Sequence, residues 1–430
     1  MEDTRMKNNV WLRILAKSLL VGALAGLVTV AFRVCVTQVF SAALGLVSLA
    51  KENGWFIVLW FAAILLAAFI VARLLKWDPM ITGSGIPQLE GELKGIFSQP
   101  PLKVLVGKFI GGLLSLGAGL SLGREGPCIQ MGSILGKGFS RKKDDREKML
   151  LMTGGGAAGL AAAFGAPLAG ILFALEEVHK SFSANILFTT IAACAASGIV
   201  TRLLLGPAPI FDVHVTQTLP FGAYWSLLLL GVIAGALGAL YNASVRKMQN
   251  GYSRIKKIPP RYHVILPFLA SGVLAFFLPA VLGGGDPLVG RVTGGNFTLL
   301  LLLLLLAAKF AFSVFSFSSG VPGGILMPML VMGALVGGAF GMFSSGVFGL
   351  SPALLQNFVL CAMAALFGAI VRAPLTGIVL VCEMTGAYSL FLPLIVTTLT
   401  ACLIARLLNA RPVYDQLLEH DVSVFHATRT

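Results

Sequence analysis

Residues 123–136 read Gly-Arg-Glu-Gly-Pro-Cys-Ile-Gln-Met-Gly-Ser-Ile-Leu-Gly, a glycine-rich stretch with one acidic side chain inside a strongly apolar chain. Pro127 suits the first turn of a helix, where its missing N–H costs no hydrogen bond. The stretch therefore predicts a helix that begins near Glu125. A carboxylate there lies in the positive field of the helix N-terminus, which also attracts free anions. Glu125 and a small anion would compete for one site, and an ordinary capping glutamate is the alternative.

Two stretches of the chain recur in its second half. Residues 324–337 match residues 123–136 at an offset of 201, and residues 373–383 match residues 166–176 at an offset of 207. These offsets predict two related membrane repeats, which we divide as residues 1–210 and 211–430. In membrane transporters, such repeats usually have inverted topology, with the substrate site between broken helices near the bilayer midplane.

The composition indicates a polytopic membrane protein, because 57% of the 430 residues are hydrophobic and only 12% are charged. Several apolar runs exceed the roughly 20 residues of one crossing and are interrupted by Pro167, Pro328 or Pro374. We therefore expect an all-α fold of short, tilted and broken helices, about 17 to 18 in number. The apolar runs lie at 10–36, 55–75, 103–122, 149–177, 185–205, 222–245, 264–282, 297–317, 325–348, 353–382 and 389–408.

The net charge of +14 could indicate a nucleic-acid partner, but the basic residues collect in short loops between apolar runs. Positively charged loops remain on the cytoplasmic side of a membrane. We therefore predict no nucleic-acid binding and a multi-pass protein of the inner (plasma) membrane, surrounded by the lipid bilayer. Both termini are expected to be cytoplasmic, and the first apolar run shows no convincing signal-peptide cleavage pattern.

The sequence gives little support to metal binding, ATP-driven pumping or hydrolysis. The six cysteines show no C-x-x-C spacing and the five histidines form no H-x-x-x-H pair, so we expect no metal site. There is no phosphate-binding Walker loop and no G-x-S-x-G motif, which argues against ATP-driven pumping and hydrolysis. We expect no cofactor.

A second glycine-rich break, Gly83-Ser-Gly-Ile-Pro87, predicts another helix N-terminus with Ser84 as a cap-like hydroxyl. A serine O–H beside exposed backbone N–H groups suits a small anion, although an ordinary cap fits equally well. Lys108 lies in the next apolar run, where a charge requires a partner or water.

Adjacent acids close the run at 149–177. Glu176 is matched by Glu383 in the second half, which favours a shared architectural role, whereas Met384 stands where Glu177 would recur. An acid present in one half only suits a task that only one side performs, with a solvated helix end as the alternative. Near the C-terminus, Tyr414 begins a final helix and by itself would be an interfacial aromatic.

Together with residues 323–328 (Gly-Gly-Ile-Leu-Met-Pro), these motifs resemble the CLC family of chloride channels and proton/chloride antiporters, in order and spacing over nearly the whole chain. The resemblance implies a homodimer with an anion pathway in each subunit, of the prokaryotic type without cytoplasmic regulatory domains. It also implies an external gate at Glu125 and an internal proton-transfer acid at Glu177. Chloride would be bound by the hydroxyls of Ser84 and Tyr414 and the backbone N–H groups of Ile325 and Leu326. The supporting residues would be Gly83, Gly85, Pro87, Lys108, Gly123, Arg124, Gly126, Pro127 and Gly324.

Leu326-Met327 stands where the family often has Phe-Ala, so anion access could differ while backbone binding is retained. Glu177 favours an antiporter, because the family's channel members generally lack the internal acid. Our hypothesis is therefore a proton-coupled chloride antiporter, a secondary active transporter and not an enzyme. The alternatives are a passive chloride channel of the same fold, a membrane-embedded enzyme using Glu125 or the Glu176/Glu177 pair, and a purely structural or receptor role.

Overall fold

The computed structural model describes residues 2–141, 144–213, 215–295 and 297–427. Within these ranges the chain is helical, and its strand-like pairing is confined to one antiparallel bridge between Gly123 and Gly324. The described residues form seventeen α-helices, as the sequence predicts: α1 Glu2–Glu52, α2 Trp55–Trp77, α3 Ile86–Leu93, α4 Pro101–Gly117, α5 Glu125–Phe139, α6 Asp145–Phe164, α7 Pro167–Phe173, α8 Ala184–Leu205, α9 Tyr224–Ser253, α10 Ile265–Phe277, α11 Asp286–Thr293, α12 Leu299–Ser318, α13 Leu326–Phe348, α14 Leu355–Val371, α15 Pro374–Thr385, α16 Phe391–Leu407 and α17 Val413–Ala427.

Nine helical segments in the described ranges are long and apolar enough to cross a membrane. They differ in how deeply they lie inside the protein. In α13 and the segment containing α14, 89% of the most apolar window is buried within the protein, against 28% in α2. The protein is therefore a multi-pass membrane protein with α13 and α14 at its centre and α2 at its periphery.

The first apolar run proves longer than expected. The sequence predicts an apolar run at 10–36, but α1 continues to Glu52 as one helix. Residues 37–52 contain no proline, and their single glycine, Gly45, does not break the helix. By contrast, the run at 149–177 divides at Gly165, which takes a left-handed φ of 60° between α6 and α7.

Local structures recur between the two halves at offsets close to those in the sequence. Short 3₁₀ turns at Pro79–Ile81 and Pro279–Val281 precede α3 and α11, which are each eight residues long. The glycines just before these helices have matching positive φ angles, 93° at Gly85 and 89° at Gly285. The halves therefore share an element pattern, while the boundary at residue 210 stays a prediction.

The two halves meet through backbone hydrogen bonds between their glycine-rich breaks. Gly123 and Gly324 each donate an N–H to the other's carbonyl, both at 2.7 Å. The N–H of Gly323 donates to the carbonyl of Gly83 at 2.9 Å. These bonds fix the loops that precede α3, α5 and α13 against one another.

Two glutamates link α7 to α15 reciprocally. The Glu176 carboxylate accepts the N–H groups of Leu375 and Thr376 at the start of α15, at 3.1 and 2.7 Å. The Glu383 carboxylate accepts the N–H groups of Leu168 and Ala169 at the start of α7, at 3.1 and 2.8 Å. Each acid thus caps the N-terminus of the matching helix in the other half, which explains why both halves carry it.

Candidate functional site

Three helix N-termini converge at the centre of the protein. A Cβ on Gly126, in the first turn of α5, would lie 2.6 Å from the carbonyl oxygen of Ser84, just before α3. A Cβ on Gly324, just before α13, would lie 3.0 Å from the amide nitrogen of Gly126. The first N–H groups of a helix have no partner within it, so this junction of α3, α5 and α13 concentrates positive dipole ends.

The carboxylate of Glu125 lies at this junction. Glu125 is fully buried, and its carboxylate faces the backbone N–H groups of Glu125 itself and of Met327. A Cβ on Gly123 would overlap Glu125 Oε2, so the carboxylate lies directly against the bridge between the halves. Within the described residues, neither oxygen of this carboxylate has a hydrogen-bond partner. Glu125 thus lies unpaired at a junction of helix N-termini, where a free anion would also be stabilised.

Two buried hydroxyls, those of Ser84 and Tyr414, lie next to α3. Ser84 is 2% exposed, and its Oγ accepts the N–H of Ile86 at 3.3 Å. Gly85 is the N-cap position of α3 but has no side chain, so the Ser84 hydroxyl accepts the first N–H of the helix, as a cap-like hydroxyl would. Tyr414 is fully buried near the start of α17, which packs against α3, and its hydroxyl has no hydrogen-bond partner in the structure. A buried unpaired hydroxyl is costly, so this donor fits an anion-binding role.

The start of α13 supplies the predicted backbone donors. Ile325 immediately precedes the helix and Leu326 is its first residue, so neither N–H has an intrahelical acceptor. The sequence did not single out Met327, although its N–H faces Glu125. Met327 lies one residue beyond Leu326, in the same first turn of α13, and this position could have identified it as a further backbone donor.

Lys108 is fully buried and has backbone partners. Its Nζ donates to the carbonyls of Ile81 and Gly83 at 2.9 and 2.7 Å, which holds the loop that leads to Ser84. The second half contains an unpredicted counterpart, Lys309, whose Nζ donates to the carbonyls of Val281 and Gly283 at 3.0 and 2.7 Å. The offset of 201 between the two lysines could have revealed it.

Arg124 precedes Glu125 and forms an ion pair with an acid from the second half. Its Nη2 lies 3.2 Å from Asp286 Oδ2, and the two side chains are 15% and 32% exposed. Asp286 is the first residue of α11, the counterpart of α3. The sequence did not indicate this partner, because the two residues are far apart in the chain.

Glu177 lies away from this junction, in a π-helical turn, Ala174–Val178, that continues α7. The turn separates the adjacent acids: Glu177 is 2% exposed and its Oε1 has no hydrogen-bond partner among the residues that the structure describes, whereas Glu176 caps α15. π-Turns within helices occur frequently at functional sites. A cavity of about 380 Å³ reaches Glu177 and is also lined by Lys180 and Asp415, which form an ion pair.

In the part of the chain that the structure describes, no three His, Cys, Asp or Glu side chains are grouped so that they could hold a metal ion. The expectation of no metal and no cofactor stays a prediction.

These features define a class: a multi-pass α-helical protein with two matching halves and a central site suited to anions. The family described as "Voltage gated chloride channel" matches residues 63–406, and the chain belongs to this family, the CLC family. The chain is 40% identical over 430 residues to the H⁺/Cl⁻ exchange transporter ClcA of Cronobacter sakazakii, covering 97% of this chain and 92% of the relative. It is 38% identical over 419 residues to ClcA of Salmonella typhimurium, covering 95% and 88%.

A solved structure described as that of a slow cyanobacterial Cl⁻/H⁺ antiporter is also similar. It superimposes with a TM-score of 0.89 and 30% identity, covering 96% of this chain and 98% of the other. The similarity extends over almost the entire length of both proteins and confirms the fold predicted from the sequence.

Proposed function

We propose that this protein exchanges chloride for protons across a membrane, as a secondary active transporter. The observation that carries the proposal is the position of Glu125, a buried carboxylate without a hydrogen-bond partner among the described residues, at the place where helix N-termini converge. The relatives named as H⁺/Cl⁻ exchangers support coupling over passive conduction, and so does the acid Glu177.

In the proposed mechanism, the ionised Glu125 carboxylate occupies an anion position. Protonation removes its charge and weakens its attraction to the helix ends, so chloride replaces it. Deprotonation then lets the carboxylate return and expel chloride, which links the two ions in one step. Chloride at the neighbouring position would accept hydrogen bonds from the hydroxyls of Ser84 and Tyr414 and from the N–H groups of Ile325 and Leu326.

The remaining site residues would shape this position. Lys108 holds the loop before α3 through backbone carbonyls, and Arg124 adds a positive charge beside Glu125. The glycines and prolines would allow close approach of the loops and early helix starts, as the bridge between Gly123 and Gly324 illustrates. This group comprises Gly83, Gly85, Pro87, Gly123, Gly126, Pro127 and Gly324.

Protons would follow a separate branch on the inner side, through Glu177. The cavity lined by Glu177, Lys180 and Asp415 supports this role, because it gives water a route to an otherwise buried acid. Tyr414 lies within electrostatic range of both Glu177 and Glu125, which is consistent with two branches meeting near the anion site.

We also propose the setting: a homodimer with inverted repeats in the inner membrane, with cytoplasmic termini. The basic loops support this orientation. Met1 and residues 428–430 lie outside the described residues. Cross-linking of the purified protein in lipid vesicles would detect the dimer, and a band at the monomer mass alone would contradict it.

The experiment that tests coupling uses vesicles containing the purified protein. A chloride gradient, with no initial proton gradient, should drive protons uphill in the direction opposite to chloride. Chloride flux without proton movement would instead establish the passive channel.

A variant separates the two branches. Glu177→Gln should abolish proton movement while chloride flux continues, because Gln has nearly the same shape but cannot carry the proton. Glu419→Gln, at an exposed position, is the matched control and should leave both fluxes unchanged. Proton transport that persists in Glu177→Gln would overturn the role of Glu177.

A further inference from the structure

A charged cluster next to Glu125 includes an acid that the transport scheme does not use. Besides the Arg124–Asp286 ion pair, it contains Lys309, whose Nζ would lie 3.2 Å from a Cβ on Gly285, the residue before Asp286. Arg33 lies within electrostatic range of Arg124, Asp286 and Glu125. Two arginines and one partly exposed acid thus lie near Glu125, and Lys309 lies behind the loop that carries Asp286.

Asp286 lies within electrostatic range of Glu125, and it is not among the residues that act most strongly on Glu177. The charged side chains that act most strongly on Glu125 are Arg124 and Asp286, ahead of Arg33. Those that act on Glu177 are a different set: Glu90, Lys180, Asp415 and Glu176.

Asp286 and Glu125 also lie on either side of Met327. A Cβ on Gly284 would lie 2.6 Å from Asp286 Oδ1 and 3.0 Å from Met327 Cγ, while the Glu125 carboxylate faces the Met327 N–H. The Asp286 carboxylate therefore lies near Met327, whose N–H faces Glu125, and it pairs with Arg124, the residue that precedes Glu125.

We propose that Asp286 lowers the affinity of the Glu125 position for chloride by neutralising Arg124. An anion approaching this position would be attracted by Arg124, but Asp286 offsets this charge through its ion pair. Asp286 is thus a positioning residue that acts through Arg124 and keeps anion binding weak enough for release. This inference rests on the proposed anion position and not on proton coupling.

The test measures chloride binding by isothermal titration of the full-length protein in detergent at low ionic strength, with Glu125→Gln present in every protein compared, because the ionised Glu125 carboxylate would compete with chloride for the position. Asp286→Asn and Asp286→Ser both remove the charge, so either can be measured if the other fails to fold. Each should lower the dissociation constant for chloride by about two- to fivefold, the range for a partly exposed ion pair. The change should shrink as an inert salt is added, since salt screens exposed charges.

Two controls distinguish charge from shape. Asp286→Glu keeps the charge and should retain an affinity near that of the protein with Asp286 intact. Glu52→Gln removes an exposed acid at the end of α1 and should change nothing.

Unchanged or weaker binding in the neutral variants would overturn the proposal, and so would an equal gain in Asp286→Glu. If the protein with Asp286 intact binds no chloride, the proposed function itself fails. If it binds chloride and only the Asp286 variants disagree, this inference alone fails.

Discussion

The chemistry of this protein depends on a few buried polar groups whose types, but not whose partners, can be read from the sequence. Glu125 and Ser84 stand out because polar residues next to glycine and proline in apolar runs predict helix N-termini. The structure then adds partners from distant parts of the chain, such as Met327 for Glu125 and Asp286 for Arg124. Such pairs depend on how the halves pack, which local patterns do not encode.

Tyr414 offers a sharp test at a single residue. Its hydroxyl is buried without a partner, so Tyr414→Phe should cost the fold little but remove one hydrogen bond to the anion. A hydrogen bond to a charged group contributes at least ~1.5 kcal/mol, so chloride affinity should fall about tenfold. Isothermal titration of chloride would measure the change.

The matched control is Tyr252→Phe, because the Tyr252 hydroxyl donates to the Phe315 carbonyl at 3.1 Å. That variant should lose some stability and keep its chloride affinity. Equal chloride affinity in Tyr414→Phe and the unmodified protein would remove Tyr414 from the anion site.

At the scale of helices, Glu176 and Glu383 make a reciprocal pair of caps. Each carboxylate accepts two N–H groups from the other half. A Gln side chain has only one acceptor oxygen, so it could keep only some of these hydrogen bonds. Glu176→Gln and Glu383→Gln should therefore each destabilise the protein by about 1–3 kcal/mol, with the larger loss at Glu176, which also accepts the Thr376 hydroxyl at 2.8 Å. Thermal unfolding in detergent would measure the loss.

Glu419→Gln provides the comparison, since Glu419 pairs with Arg411 at an exposed position and should matter little. A clear loss in only one of the two cap variants would show that the caps are not equivalent.

Helix packing makes a second prediction at this scale. A Cβ on Gly132 of α5 would overlap the carbonyl oxygen of Gly155 in α6, so Gly132→Ala must separate the two helices. Gly138→Ala lies in the same helix with nothing within 4 Å of its Cβ. Gly132→Ala should lower the unfolding temperature clearly, whereas Gly138→Ala should leave it unchanged or raise it slightly. Similar temperatures for both variants would contradict the close packing.

Over the whole molecule, the all-α fold and helix number follow well from hydropathy and from prolines within apolar runs. The ends of the helices are predicted less well. The sequence predicts an apolar run that ends at residue 36, but α1 continues to Glu52. The internal repeat carries further information: the offset of 201 applied to Lys108 leads to Lys309, which supports the loop before α11 as Lys108 supports the loop before α3. The close contacts among the glycine-rich loops before α3, α5 and α13 depend on tertiary packing, so only the structure reveals them.

The proposed mechanism requires that the Glu125 carboxylate and chloride exchange at one position under control of a proton. The most direct measurement compares Glu125→Gln with the unmodified protein in vesicles, recording chloride and proton fluxes as pH is varied. Because Gln resembles the protonated acid and cannot ionise, chloride flux should persist without pH dependence and proton movement should stop. Proton pumping that continues in Glu125→Gln, or chloride flux that keeps its pH dependence, would contradict the account.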